Sequence, residues 1–360
     1  MKRVFLFSAF LLFPSSWLYA QVVVEIGIDG AINPVAAEFI HRGIETAYTE
    51  KAECLIIHLN TPGGLLKSTR VIVTDILESP VPVVIFISPA GAHAGSAGVF
   101  ITLAAHIAAM TPGTNIGAAH PVDLQGKIDS VMNEKVTNDA AAFIRSIAEK
   151  RKRNLEWADE AVRKSISITE KEALQNNVID LIAINTDDLL TQIDGKKVEA
   201  GTAAMILNTK GARIKTLEMS DVEKILNILS DPNIAYVLLL LGLYGILFEL
   251  YNPGAILPGI VGVMSLVLAF YSMHSLPINY AGLALIVFAV ILFLLEIKIV
   301  SHGMLAIGGV ASLLLGSMML IRPDSTLELA AISWSVIISS VTITSLFFLF
   351  VLGLGLKAQR

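Results

Sequence analysis

Ser96 is the first residue whose type and setting could do chemistry. It stands in Pro89-Ala-Gly-Ala-His-Ala-Gly-Ser-Ala-Gly98, between an apolar run, Val83 to Ile87, that reads as a buried strand and a second run, Val99 to Ala105, that reads as a helix. A turn of small residues at that junction places a serine hydroxyl at a helix N-terminus. Unpaired backbone N–H groups and the positive end of the helix dipole favour developing negative charge there, which suits a nucleophile. The same residue also suits plain capping of a close-packed, glycine-rich helix, so this stretch alone leaves both roles open.

A second glycine turn, Asn60-Thr-Pro-Gly-Gly64, ends another predicted strand, Cys54 to Leu59. Glycine permits unusual dihedrals and close approach, so the N–H groups of Gly63 and Gly64 can point at a carbonyl oxygen. Open α/β sheets place their sites at the carboxyl ends of strands, where both turns fall. A serine turn one strand from a paired-glycine turn reads as a nucleophile beside an oxyanion hole. Two downstream residues could serve as the base. His120, in Gly117-Ala-Ala-His-Pro121, would act as an imidazole oriented by Asp123 or Asp129. Lys135, in Glu134-Lys-Val-Thr-Asn-Asp139, would act as an amine whose pKa is lowered by burial. Local chemistry does not rank them.

The elements that must position these residues alternate between strand and helix. Val22 to Ile28 reads as a strand, and Asn33-Pro34 opens a helix to about Thr49. A helix from Leu65 to Glu78 has Leu66, Val73 and Leu77 near one face, and His106 to Met110 is a short strand. A largely parallel sheet with helices on both sides follows from this order. Further on, a helix spans Asn138 to about Lys152, with Ala141, Ile144 and Ala148 at helical spacing. Glu149 to Arg153 reads as a solvated charge run. Leu155 to Arg163 is a further helix that carries Trp157. Thr169-Glu-Lys-Glu172 is a capping box, and Val178 to Ile184 is an edge strand. Asp187 to Ile193 is a short helix, Asp194-Gly195 opens a small hairpin to about Lys215, and Asp221 to Ser230 is amphipathic.

Composition places part of the chain in lipid. With 54% hydrophobic and 16% charged residues and a mean hydropathy of +0.69, the chain departs from soluble norms. A net charge of −5 with no dominant basic patch argues against a nucleic-acid partner. The single cysteine, Cys54, excludes an intrachain disulfide and reads as a buried small hydrophobe. Residues 1–20 have the layout of a secretory signal, with Lys2 and Arg3 before an apolar run and Ala20 before the cut. Apolar segments at about Ile234–Leu250, Ala255–Met273, Tyr280–Leu295, Met304–Ile321 and Ala330–Leu352 suit five spans. Lys298, Lys357 and Arg360 then fall inside, and Arg322, Asp324 and Glu328 outside. Glu249 and Glu296 sit at span ends, in interfacial positions.

In sequence order, Asn60-Thr-Pro-Gly-Gly64, Gly91-Ala-His-Ala-Gly-Ser-Ala-Gly98, Pro112-Gly-Thr-Asn-Ile-Gly-Ala118 and Lys135-Val-Thr-Asn-Asp139 with Arg151-Lys-Arg-Asn154 resemble the long form of the NfeD family. These are membrane-bound serine proteases of the ClpP/crotonase fold. The resemblance implies a Ser-Lys dyad, with the nucleophile on Ser96, the base on Lys135, the oxyanion glycines on Gly63 and Gly64, and the Ala97 N–H as a further donor. His120 lies near the place of ClpP's catalytic histidine and remains the alternative base. Neither metal nor cofactor is implied. The expected layout is a signal (1–20), an α/β ClpP/crotonase-like protease domain (21–186), a connector (187–233), an all-α multi-span domain of about five helices (234–353) and a short tail (354–360). The protease domain is expected on the exported side, in a dimer or larger homo-oligomer. Its expected partners are the lipid bilayer and apolar protein segments, including the C-terminal region of a stomatin-like membrane protein. A non-catalytic scaffold for such a protein is the rival reading, and acyl-thioester chemistry a weaker third. Many relatives carry an OB-like barrel after the last span. This sequence stops at Lys357-Ala-Gln-Arg360, so that barrel is expected to be absent.

Overall fold

The structure is a computed structural model and describes residues 21–121, 130–201, 203–251, 254, 256–274, 278–299, 301, 303–321 and 332–358. The expected signal segment, the orienters Asp123 and Asp129, and Arg322, Asp324, Glu328 and Arg360 lie outside the described residues.

The apolar runs become β1 (Val22–Asp29), α1 (Pro34–Thr49), β2 (Leu55–Asn60), α2 (Leu66–Glu78) and β3 (Val83–Ile87). Then come β4 (His93–Gly95), α3 (Ala97–Ala104), β5 (Ile107–Met110), β6 (Asn115–Gly117), α4 (Ser130–Lys150) and α5 (Leu155–Arg163). The α/β part closes with β7 (Ser167–Thr169), α6 (Glu170–Gln175), β8 (Leu181–Ile182), α7 (Thr186–Ile193), β9 (Lys197–Ala200), β10 (Ala203–Ile206) and β11 (Arg213–Thr216). Six strands form one wholly parallel sheet in the order β11-β1-β2-β3-β5-β8. Strand side chains alternate between faces, and each face has its own core. Ile26, Ile57 and Ile85 meet Phe39, Ile40 and Ile72 on one side. Ile56, Val84 and Phe86 meet Leu189 and Ile193 of α7 on the other. The expected α/β class is the observed one. Asn33 caps α1 as read, its Oδ1 accepting from the Ala36 N–H at 2.8 Å.

Several local readings differ. The buried face of α2 is centred on Thr69, Ile72, Val73 and Ile76, so Val73 is on it as read, while Leu77 packs half-buried against the core and Leu66 is half-buried. Residues 93–95, read as part of a turn, form β4 in a small sheet ordered β4-β6-β7. Residues 213–216, read with a hairpin, form the edge strand paired with β1, while the hairpin itself is β9-β10. Val178 to Ile184 contributes only the two residues of β8. The charge run is not a uniformly solvated face, since Arg153 is buried. Its guanidinium donates to the carbonyls of Leu103, Ala105 and Val178 and pairs with Asp180 at 2.9 Å. Trp157 is buried in the α/β core.

After α8 (Asp221–Leu229) the described residues form five apolar helices: α9 (Pro232–Tyr251), α10 (Ile256–His274), α11 (Tyr280–Lys298), α12 (Met304–Leu320) and α13 (Trp334–Ala358). Two segments, Pro232–Leu250 and Ile256–Met273, are long and apolar enough to cross a membrane, and the other three helices carry shorter apolar stretches. Small residues bring the backbones together. A Cβ on Gly262 would lie 2.7 Å from the Ile246 nitrogen, so α9 and α10 are in backbone contact. Tyr236 and Tyr244 hydroxyls bond Ser317 at 2.7 Å and Thr344 at 2.8 Å, tying α9 to α12 and α13. Glu296, read as interfacial, is buried and accepts from the N–H groups of Gly303 at 2.9 Å and Ala306 at 3.0 Å. It satisfies orphan donors at the start of α12, whose cap, Gly303, has no side chain to do so.

Candidate active site

Beyond the end of β2 the chain stays extended, and this positions the glycine turn. The Thr61 N–H donates to the His93 carbonyl and its own carbonyl accepts from Gly95, both at 2.8 Å, which seats β4 alongside. On the other edge, Ile32 donates to the Gly63 carbonyl and accepts from Leu65, again at 2.8 Å. These bonds leave the N–H of Gly64 directed away from Ile32, and it makes no hydrogen bond among the described residues. A Cβ at Gly64 would lie 2.1 Å from the Ile32 carbonyl oxygen, so only glycine permits this approach. The Gly63 N–H is spent on the Thr61 hydroxyl at 3.1 Å. Of the two expected oxyanion glycines, Gly64 has the free donor.

Ser96 follows β4 and precedes α3 with φ +47° and ψ −107°, a region sparsely populated by non-glycine residues and costing about 1–3 kcal/mol. Its N–H donates to the carbonyls of Gly117 at 3.3 Å and Ala118 at 3.2 Å, so β6 holds the strained turn. The Ser96 hydroxyl does not cap α3, which removes the plain capping role, and the residue is half-buried. The first N–H of α3, on buried Ala97, belongs to the unpaired donors of a helix start. The first turn of α3 packs tightly on the glycine turn's strand, since a Cβ on Gly98 would lie 2.8 Å from the Thr61 methyl. A strained serine at a strand-to-helix turn with free backbone donors beside it is the layout of a nucleophile elbow.

Neither base touches Ser96 in this structure. His120 is half-buried, and its Nδ1 lies 2.9 Å from the Val162 carbonyl. A carbonyl only accepts, so Nδ1 carries the proton and Nε2 is the available lone pair. Lys135 is exposed and unpaired among the described residues, so the burial expected for it is not present in the chain alone. It lies inside α4, which begins at Ser130 and not near Asn138. The sequence reading missed the contacts that set this helix. Phe143 stacks on Phe100 of α3 at 5.7 Å between centroids. Arg70 of α2 covers Phe143 at 4.3 Å and pairs with Asp139. At the far end Arg151 donates to the carbonyls of Ala104 at 2.8 Å and Ile76 at 3.3 Å. Hence α2, α3 and α4 run in the same direction, α2 starting at the glycine turn, α3 at the serine, and α4 carrying Lys135 in its second turn. Lys135, Asp139 and Phe143 share a helix face by their four-residue spacing. That face is the one turned to α2 and α3. From the stacked phenylalanines, Ser96 lies about 6 Å back along α3 and Lys135 about 12 Å back along α4.

A parallel α/β domain with a strained serine beside a glycine turn, carried on a bundle of apolar helices, defines a membrane-bound serine protease. Residues 22–217 match the family described as NfeD1b, N-terminal domain, and residues 233–354 match the NfeD integral membrane domain. The chain belongs to the NfeD family. It is 33% identical over 325 residues to the membrane-bound protease PH1510 of Pyrococcus horikoshii, an alignment covering 89% of this chain and 74% of that one. It is 31% identical over 303 residues to the membrane protein NfeD1b of Bacillus subtilis, covering 82% and 67%. Among solved structures it resembles 1510-N, described as a membrane-bound stomatin-specific protease. A lysine-to-alanine mutant of that protein with a substrate peptide gives a TM-score of 0.54 at 33% identity, covering 59% of this chain and 98% of that one. A serine-to-alanine mutant gives 0.53 at 34% identity, covering 56% and 100%.

Proposed function

We propose that the chain is a multi-pass membrane endopeptidase that cleaves apolar protein segments with a Ser-Lys dyad. Ser96 attacks the scissile carbonyl, Lys135 takes the serine proton and returns it to the leaving amine, and the N–H groups of Gly64 and Ala97 receive the oxyanion. The observation that carries this reading is the strained turn at Ser96, whose hydroxyl makes no hydrogen bond among the described residues, at the end of a strand bonded to the one that leads into the Gly63–Gly64 turn. Support for Lys135 over His120 comes from the parallel run of α3 and α4, which brings the Lys135 end of α4 toward the serine. A bound substrate supplies the water exclusion that Lys135 lacks in the free chain. The 1510-N relatives are described as specific for a stomatin homologue, and a stomatin-like membrane protein is the natural substrate class here. The protease domain lies on the exported side and works in a dimer or larger assembly.

The test is cleavage of an apolar, stomatin-like C-terminal peptide by the full chain in liposomes. Ser96→Ala and Lys135→Ala each lower kcat by roughly 10⁴-fold or more, while His120→Ala stays active. Activity that survives Lys135→Ala and disappears with His120→Ala would overturn the dyad in favour of a triad. Peptide binding without cleavage by the wild type would leave a scaffold.

A further inference from the structure

Helix α8 has two faces with different fates. Its start is fixed by a capping box, in which Ser220 and Glu223 bond each other's backbone N–H groups. One face is spent on the protease domain. There Glu223 pairs with Arg42 of α1 at 2.7 Å, and Asn227 accepts from the Asn33 side chain at 2.9 Å. On the opposite side Val222, Ile225 and Ile228 are 67%, 58% and 57% exposed.

The C-terminus of α8 lies at one end of the apolar bundle. The Leu229 carbonyl accepts from Ser272 near the end of α10. Three residues later α9 begins, and Asn233 on its first turn accepts from the Ser333 N–H at 2.8 Å, just before α13. This end of the bundle is where α9 and α13 begin and α10 ends.

We propose that α8 is an interfacial helix whose Val222–Ile225–Ile228 stripe sits in the lipid headgroup layer and holds the Gly63–Gly64 turn at the bilayer surface. This rests on the reading that α9 to α13 lie in the bilayer. Lipid is the occupant for two reasons. The stripe is continuous in sequence with helices whose outward residues, such as Val237 and Leu241, are themselves exposed and apolar. Three aliphatic side chains on a nine-residue helix also fall far short of the roughly 800 Å² per partner that a stable protein interface buries. As an addition to a surface already in lipid, that small area suffices. Asp221, exposed at the start of the helix, and Lys224, paired with Glu218 at 3.2 Å, border the stripe with polar groups that suit the headgroup layer.

The consequence for the site follows from adjacent bonds. Asn33, held by α8, is next to Ile32, whose backbone bonds fix Gly63 and Leu65. One residue thus separates the lipid-seated helix contact from the oxyanion turn. Substrates would be cut where they emerge from the membrane.

The experiment places an environment-sensitive fluorophore on Ile225→Cys in the full chain in phosphatidylcholine liposomes. Cys54 is fully buried and does not compete for label. Lys210→Cys, on an exposed loop, is the water reference, and Leu241→Cys, exposed on α9, is the lipid reference. The 225 label should be quenched several-fold less by iodide than the 210 label. It should be quenched more strongly by a headgroup-level nitroxide lipid than by a chain-end one, with the order reversed at 241. Iodide quenching at 225 equal to that at 210 puts the stripe in water and overturns the proposal. Shielding from both iodide and nitroxide lipids puts a second copy on the stripe and overturns it equally. If 241 also fails to report lipid, the membrane placement itself falls, and the proposal with it.

Discussion

Gly64 carries the most stringent local demand in the candidate site. Its Cα faces the Ile32 backbone so closely that a methyl group would fall 2.1 Å from the carbonyl oxygen, and its N–H is the free donor of the turn. Gly64→Ala therefore pushes the turn off the Ile32 backbone and displaces that donor. We expect kcat for peptide cleavage to fall about 10²–10³-fold, with KM changed far less. A full-rate Gly64→Ala enzyme would remove Gly64 from the oxyanion role. The pairing of a glycine turn with a serine turn is legible in the sequence because both depend on local residue types. Which glycine keeps its donor is not legible, because that depends on the Thr61 hydroxyl folding back onto the Gly63 N–H. The positive φ of Ser96 is equally hidden, since it is imposed by the carbonyls of Gly117 and Ala118, which arrive from the fold's second sheet.

Helices α2, α3 and α4 are locked together at the end remote from the site, by Arg151 and Arg153. A run of basic residues at a helix end looks like solvated charge, because sequence pattern does not show the carbonyls waiting at the ends of other helices. The α/β order and the five apolar helices are legible because they are written in hydrophobic period and length. β4 and β11 are not, because they are short and held mainly by their neighbours' edges. Arg153→Met leaves the carbonyls of Leu103, Ala105 and Val178 without this donor and takes the cation from Asp180, which keeps its bond from the Ala108 N–H. A loss of about 2–4 kcal/mol is expected from the orphaned acceptors, read as a lowered urea midpoint, with exposure of the Cys54 thiol reporting unfolding of the sheet. A second effect belongs to His106, which joins β3 to the Arg151 end of α4. Its Nδ1 accepts from the Val83 N–H at 3.1 Å, and its Nε2 lies 3.2 Å from the Arg151 guanidinium. Burial, and then the adjacent arginine, push its pKa down to about 3. The stability gained from a neutral His106 is full above its unfolded pKa of about 6.5 and is lost as pH falls toward 3. The urea midpoint should decline through that window, and His106→Asn should flatten the decline; an unchanged slope would count against this role.

The whole molecule joins a soluble-type sheet to a membrane bundle through one short helix, and the strength of that join decides which substrates are cut efficiently. The Arg42–Glu223 pair ties α8 to α1 at 2.7 Å, with Arg42 also donating to the Glu218 carbonyl at 2.9 Å. Burial raises the Glu223 carboxyl, but the bonds from Arg42 and Ser220 outweigh this and leave it below the ordinary carboxylate value. The stability it contributes is present above the usual carboxylate range and disappears as pH falls through its lower folded value, so the join holds at neutral and mildly acidic pH. Arg42→Ala breaks the pair without touching Ser96, Lys135 or either glycine. A protease domain released from α8 still carries its site, so a short soluble peptide should be cleaved at the wild-type rate. A substrate anchored in the same liposome loses the advantage of a site held at the surface, because its scissile bond must now find a domain free to tilt away. We expect the ratio of anchored to soluble cleavage to fall several-fold in Arg42→Ala, and to fall again when Asn227→Ala is added. An equal loss on both substrates would mean that Arg42 supports the site directly, and an unchanged ratio would mean that the membrane helices alone set its position.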